Sequence, residues 1–138
     1  MSYISAFDPS ADKKRNLASK IYDISESVTK FFWDDAPRLG IQQREGQQDM
    51  AFDVLDAIKS GSHVVIEAGV GIGKSFAYLV PILLYNAKTF SPVVIATSTI
   101  ALQEQLLSDV ERLKKWLRIE PDLILAKGKN HYLCLRRA

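Results

Sequence analysis

The stretch EAGVGIGKS, residues 67–75, sets three glycines and a lysine in nine positions directly after the apolar run Val64-Val65-Ile66. Glycine at that density weakens both helix and strand interiors, so the stretch predicts a tight loop. On one side lies a short buried strand, His63–Glu67, and on the other a helix from about Lys74 to Asn86, with Pro81 placed to kink it. Gly69, Gly71 and Gly73 allow the backbone to turn sharply and to aim its N–H groups inward at an anion. Lys74 adds a compact positive charge, Ser75 a hydroxyl suited to Mg2+, and the helix start its positive dipole end. Ala68, Gly69, Val70, Gly71, Ile72, Gly73, Lys74 and Ser75 thus have the spacing of a phosphate-binding loop, with alanine in place of its usual first glycine. A glycine-rich turn with an accidental lysine is the ordinary alternative, expected in roughly one chain of this size in a hundred.

The segments around the loop set the fold class. Pro92–Ala96 and Asp122–Ala126 read as two further strands, and Gln47–Lys59 and Thr99–Trp116 as helices, the first stopping at Ser60-Gly61. Strand, helix, strand, helix, strand implies right-handed crossovers and a parallel sheet covered on both faces. The expected class is therefore α/β. Upstream, Ser10 or Asp12 is placed to cap a helix running to about Phe32, with Leu17, Ile21, Ile24, Val28 and Phe31 on one face. The stretch DDAPRLG, residues 34–40, breaks that pattern with Pro37 and Gly40. Residues 1–40 are expected to form a helical extension that packs on the sheet or serves another domain.

Composition excludes several classes. With 138 residues, 47% hydrophobic and 25% charged, the chain is globular rather than disordered. No apolar run approaches the roughly 20 residues of a membrane span, and the N-terminus has no signal-peptide pattern. The single cysteine, Cys134, excludes an intrachain disulfide framework and fits a reducing, cytoplasmic location. The net charge of +2 is too small to indicate nucleic acid alone. The last 25 residues hold Lys114, Lys115, Arg118, Lys127, Lys129, Arg136 and Arg137 against Glu120 and Asp122, an excess that favours phosphate backbones or simply marks a solvated terminus.

The flanks narrow the kind of nucleotide machine. Upstream, IQQREGQQDM carries Arg44, Gln47 and Met50 in the spacing R-x-x-Q-x-x-M. A glutamine amide offers a donor and an acceptor together, as an adenine edge does; a glutamine-rich helix start is the plainer explanation of Gln47 alone. Downstream, VVIATSTIALQEQLLSDVERL, residues 93–113, places Thr97, Ser98 and Thr99 before a helix start, where hydroxyls and N–H groups suit a phosphate backbone. Thr99 is equally an N-cap, with Leu102, Leu106, Val110 and Leu113 as core, and Gln103 and Gln105 as an exposed face. In this order, with VIEAGVGIGKSFAYLVP between them and KGKNHYLC at residues 127–134, the segments resemble the DinG/XPD branch of superfamily 2 DNA helicases. The resemblance covers residues 41–138.

That resemblance implies a RecA-like P-loop domain, ATP and Mg2+ at Arg44, Gln47 and residues 68–75, and a single-stranded or forked DNA backbone at Thr97–Thr99. Lys74 and Ser75 would be the catalytic members, and a role in repair or replication-fork clearance would follow. It also implies that Cys134 is the first of four thiolates of a [4Fe–4S] cluster, provided the chain continues beyond Ala138 with three more cysteines. Val70 departs from the threonine usual there, which bears on hydrolysis more than on binding. Hydrolysis also needs a second carboxylate for Mg2+ and a residue to orient water, and no D-E-x-[HD] box is present. Asp34-Asp35 precedes the sheet, and Glu120 stands in a turn beside Pro121. The expectation is a partial motor domain 1, inactive alone, with hydrolysis and unwinding belonging to a longer protein. A truncated, non-catalytic nucleotide- or DNA-binding remnant is the alternative. A small-molecule kinase would need a lid and acceptor-site residues that no segment supplies. His63 and His131 lack metal-ligand spacing, and Phe31, Phe32 and Trp33 read as core at helical spacing rather than as a base-stacking platform.

Overall fold

Apolar residues recurring at steps of three and four define the helices of this chain, and left-handed residues end most of them. The computed structural model describes residues 22–42, 44 and 46–128. Helix α1 (22–30) continues through a π turn, Phe31–Asp35, into a short α2, Ala36–Arg38. Then follow α3, Gln47–Ser60, α4, Lys74–Thr89, and α5, Ile100–Leu117. The chain divides into two compact units, Met1–Val93 and Val94–Ala138.

In the first unit Ile24, Val28 and Phe31 are fully buried, as their period predicts. Leu17, Ile21 and the caps proposed at Ser10 and Asp12 lie outside the described residues. Within the stretch 34–40 expected to break the helix, Pro37 does not end it and Gly40 does. The helix widens by one residue instead, with the Ala36 N–H donating to the Phe31 carbonyl, and runs on to Arg38. Pro37 is accommodated because it falls in the first turn of α2, where a missing N–H costs little. The extra residue of the π turn lets two sequence neighbours, Phe31 and Phe32, both enter the core, their rings edge to face at 5.2 Å. Trp33 is 53% exposed. Gly40, at φ +73°, ends the segment.

Helix α3 buries Gln47, Ala51 and Leu55, a stripe at steps of four, and packs against α4, which buries Ala77, Leu79, Val80, Leu83 and Leu84. Gly61 closes α3 at φ +64°, with the Ser62 N–H returning to the Ala57 carbonyl at 3.0 Å. Helix α4 runs three residues past the expected end, although the buried Pro81 forfeits one helical hydrogen bond. It ends at Phe90, a non-glycine residue at φ +57° whose side chain is 87% exposed. A left-handed conformation costs an L-residue about 1–2 kcal/mol, and so exposed a ring offsets little of it. Phe90→Gly is therefore expected to stabilise the chain by about 1 kcal/mol, read as a raised urea midpoint at constant slope.

In the second unit α5 buries Val110 and Leu113, while Leu102 is 44% exposed rather than core. Leucine at the first turn of α5 lies beyond the stripe that Val110 and Leu113 continue. Lys114 pairs with Glu111 and with Glu120, each at 3.3 Å, and hydrogen bonds to these two carboxylates raise its pKa. Part of the basic character of this segment is thus neutralised locally. Lys129, Arg136 and Arg137 lie outside the described residues.

The expected parallel sheet is not seen among the described residues. Among the described residues His63–Glu67, Pro92–Ala96 and Asp122–Ala126 form no strand ladder, and regular structure there is helical. Each run leaves its central side chain in solvent: Val65 is 98% exposed, Val94 91% and Ile124 89%. A sheet covered by helices on both faces would bury all three. Apolar composition supplies the motive for a buried strand but not the ladder, which exists only between aligned neighbours.

Candidate nucleotide site and nucleic-acid interface

The glycine-rich loop needs glycine at two of its positions. Gly71 stands at φ +90° and Gly73 at φ +81°, the left-handed region that side chains avoid. Gly69 has no such requirement: a Cβ there would meet the Ile72 methyl end at 3.7 Å, an ordinary contact distance. Gly73 is also the N-cap of α4, and its carbonyl accepts the N–H groups of Phe76 at 3.1 Å and Ala77 at 3.2 Å. No side chain caps this helix start. Among the described residues, neither the N–H groups of Lys74 and Ser75 nor the Lys74 ammonium has a partner. Lys74 is exposed, Ser75 and Ala68 are half-buried, and Val70 is fully exposed at the tip. Open N–H groups, a helix-start dipole and an uncommitted ammonium belong to neighbouring residues of one loop, a combination that suits a polyphosphate.

Two upstream residues join that point. The Gln47 amide donates from Nε2 to the Gly73 carbonyl at 3.0 Å, and Gln47 is 4% exposed. Because Gln47 is the first residue of α3 and Gly73 the N-cap of α4, the contact brings the starts of the two helices together. An Nη atom of Arg44 lies 3.9 Å from the position a Cβ on Gly71 would occupy. The structure thus gathers Arg44, Gln47 and residues 68–75 into one place. The Gln47–Gly73 bond was not legible in the sequence, since nothing local ties residues 26 apart in number.

Thr97, Ser98 and Thr99 belong to the second unit, which is described by itself. The Thr99 hydroxyl accepts from the Leu102 N–H at 3.2 Å, so its capping role is realised. The Thr97 hydroxyl donates to the Thr99 carbonyl at 3.1 Å. Ser98 is exposed at the tip. These three residues line a shallow pocket with Ile100, Gln103, Lys127 and Gly128. Gln103 is half-buried rather than on an exposed face: its Nε2 donates to the Ala126 carbonyl at 3.4 Å, and its Oε1 is buried without a hydrogen-bond partner among the described residues.

Among the described residues, no three His, Cys, Asp or Glu side chains gather to hold a metal. Cys134, expected as the cluster ligand, and His131 lie outside those residues. No described helix is long and apolar enough to cross a membrane.

Residues 46–133 match the family model of the DEAD/DEAH box helicases, a span that takes in Gln47, the glycine-rich loop and Thr97–Thr99. The chain belongs to this family. Its relatives are DinG-like. It is 41% identical over 119 residues to the ATP-dependent helicase DinG of Mycobacterium tuberculosis strain H37Ra, covering 83% of this chain and 18% of that protein. It is 43% identical over 99 residues to the ATP-dependent DNA helicase YoaA of Escherichia coli, covering 71% of this chain and 15% of YoaA. The 3'-5' exonuclease DinG of Bacillus subtilis is 38% identical over 97 residues, 70% of this chain and 10% of that protein. The chain therefore spans less than a fifth of the length of these relatives. No solved structure matches it. A DEAD/DEAH box helicase domain implies a RecA-like P-loop fold, and the loop with its following helix is the part of that fold the described residues display.

Proposed function

We propose that this chain is the nucleotide-binding opening of a DinG-like, ATP-dependent DNA helicase, the first part of its motor domain 1. The observation that carries the reading is the loop Ala68–Ser75, with Gly71 and Gly73 left-handed and Lys74 uncommitted at the start of α4. Backbone N–H groups of the loop and the Lys74 ammonium would hold the phosphates of ATP, and the Ser75 hydroxyl the Mg2+, which when bound screens phosphate charge. Arg44 stands where it would add a second cation beside Gly71, and Gln47 would read the adenine edge. Thr97, Ser98 and Thr99 would meet a DNA backbone at the start of α5. Here the exposed Ser98 and the remaining proton of Thr99 are the hydroxyl donors, because the Thr97 proton is already spent. Hydrolysis and unwinding are assigned to the longer protein, because this sequence has no carboxylate box to complete a Mg2+ site. The relatives named helicase and the one named exonuclease share this segment, which fits a role in nucleotide binding rather than in either whole activity.

Calorimetric titration with ATP and Mg2+ tests the reading. One saturable site is expected. A chain that circular dichroism shows to be folded and that takes up no ATP would overturn it. For the DNA interface, anisotropy with a labelled single strand is expected to give weak, sequence-independent binding whose logarithm falls with log salt by about 0.7 per phosphate contacted.

A further inference from the structure

In the second unit the chain leaves α5 at Arg118 and returns along it to the start of the helix, with neither ladder nor helix over residues 119–128. The 18 residues of α5 rise about 27 Å, a length that residues 119–126 match when nearly extended. Gln103 joins the two at the end of that return. It stands one turn past the cap Thr99, and helical side chains lean back toward the N-terminus. Its Nε2 donates to the Ala126 carbonyl at 3.4 Å. The next residue, Lys127, is half-buried and lines one pocket with Thr97, Ser98 and Thr99. The Oε1 atom of the same amide is buried and accepts nothing among the described residues. A buried acceptor left unmet costs stability, so stability alone would favour an apolar side chain here. The amide keeps the one bond an apolar side chain could not make, to the segment that carries Lys127.

We infer that Lys127 supplies the cation of the nucleic-acid interface at the start of α5, and that Gln103 is a positioning residue that holds it there through Ala126. The inference rests on the reading of Thr97–Thr99 as a phosphodiester contact and deepens it. Ser98 and Thr99 offer hydroxyls and helix-start N–H groups, which orient a phosphate but carry no full charge. A cation beside them adds the release of a counterion from the strand. Among the described residues of this unit, Arg112, Lys114, Lys115 and Arg118 stand roughly 18 Å or more along α5 from its first residue. Lys114 is moreover held by Glu111 and Glu120. Lys127 is the cation that lines the pocket.

The test is the salt dependence of binding to a labelled DNA single strand, followed by anisotropy. Lys127→Gln is expected to lower the slope of log affinity against log salt by about 0.7, the loss of one phosphate contact, and the affinity near 0.1 M salt by roughly fivefold. Lys127→Arg is expected to keep both. Gln103→Leu removes no charge, yet it is expected to lower the slope by a comparable amount, and Gln103→Leu combined with Lys127→Gln to bind as Lys127→Gln does. The thermal midpoint of Gln103→Leu is expected to move little, because the Ala126 residue it releases is exposed to water and the unmet acceptor is gone. A merely structural role for Gln103 would not reproduce the slope of a lost cation, nor vanish when Lys127 is absent. A parental slope in Lys127→Gln overturns the inference, and so does a parental slope in Gln103→Leu. If Gln103→Leu does not fold, Gln103→Met, which likewise lacks the donor, carries the same comparison. A parent chain with no salt-dependent affinity for the strand overturns the interface reading itself, a result distinct from a parent that binds and variants that bind equally well.

Discussion

Lys74→Ala is expected to weaken ATP–Mg2+ binding by about 10- to 100-fold while leaving folding stability within about 0.5 kcal/mol of the parent. The first figure follows from a charge-assisted hydrogen bond, worth about 1.5–3 kcal/mol, converted at about 1.4 kcal/mol per tenfold. The second follows from the surroundings of the side chain. Lys74 is exposed and makes no ion pair or hydrogen bond among the described residues, so its removal leaves nothing unpaired inside the protein. Contrast Lys114, whose ammonium already serves Glu111 and Glu120. Calorimetry beside a urea titration checks both halves. A variant that binds ATP as the parent does would place the nucleotide elsewhere. Arg44 gives the complementary measurement: with its guanidinium beside Gly71, a residual affinity in Lys74→Ala that Arg44→Ala then removes would identify it as the second cation.

The site was more legible in the sequence than the fold. Glycines at 71 and 73 announce a left-handed loop because almost no other residue adopts that conformation cheaply, and a lysine and a serine next to them name the ligand chemistry. Such a signal is local, and the structure keeps it. The end of α3 at Gly61 and the Thr99 cap were readable for the same reason. The sheet was not. Val64-Val65-Ile66, Val93-Val94-Ile95 and Leu123-Ile124-Leu125 have the composition of buried parallel strands, but a strand is made by its neighbours, and here Val65, Val94 and Ile124 stand in solvent. The π turn at Phe31–Asp35 escaped for another reason. Pro37 reads as a breaker in any window, and only the one-residue widening that places it in the first turn of α2 makes it harmless. Gln47 lay between these cases. Its type and spacing were noted, yet its partner is a backbone carbonyl that no sequence pattern marks.

That partner makes Gly73→Ala the substitution with the largest expected effect on the loop. Two separate costs apply. At φ +81° an alanine pays the left-handed penalty of about 1–2 kcal/mol. Its Cβ would also come too close to Gln47 Nε2, with Cδ at 3.3 Å, so the buried amide must shift, at the expense of its bond to the Gly73 carbonyl. Losing that bond adds about 0.5–1.5 kcal/mol, for a total of roughly 2–3 kcal/mol in urea unfolding. Gly71→Ala isolates the first cost: it shares the backbone strain at φ +90°, but the nearest atom, Arg44 Nη1, is 3.9 Å away and at the free end of an exposed side chain. The second cost is isolated by a cycle. Once Gln47→Ala has emptied the space, Gly73→Ala has nothing left to displace, so the double variant is expected to be about 1 kcal/mol more stable than the sum of the singles predicts. Strict additivity would mean that the two residues do not act on each other in solution.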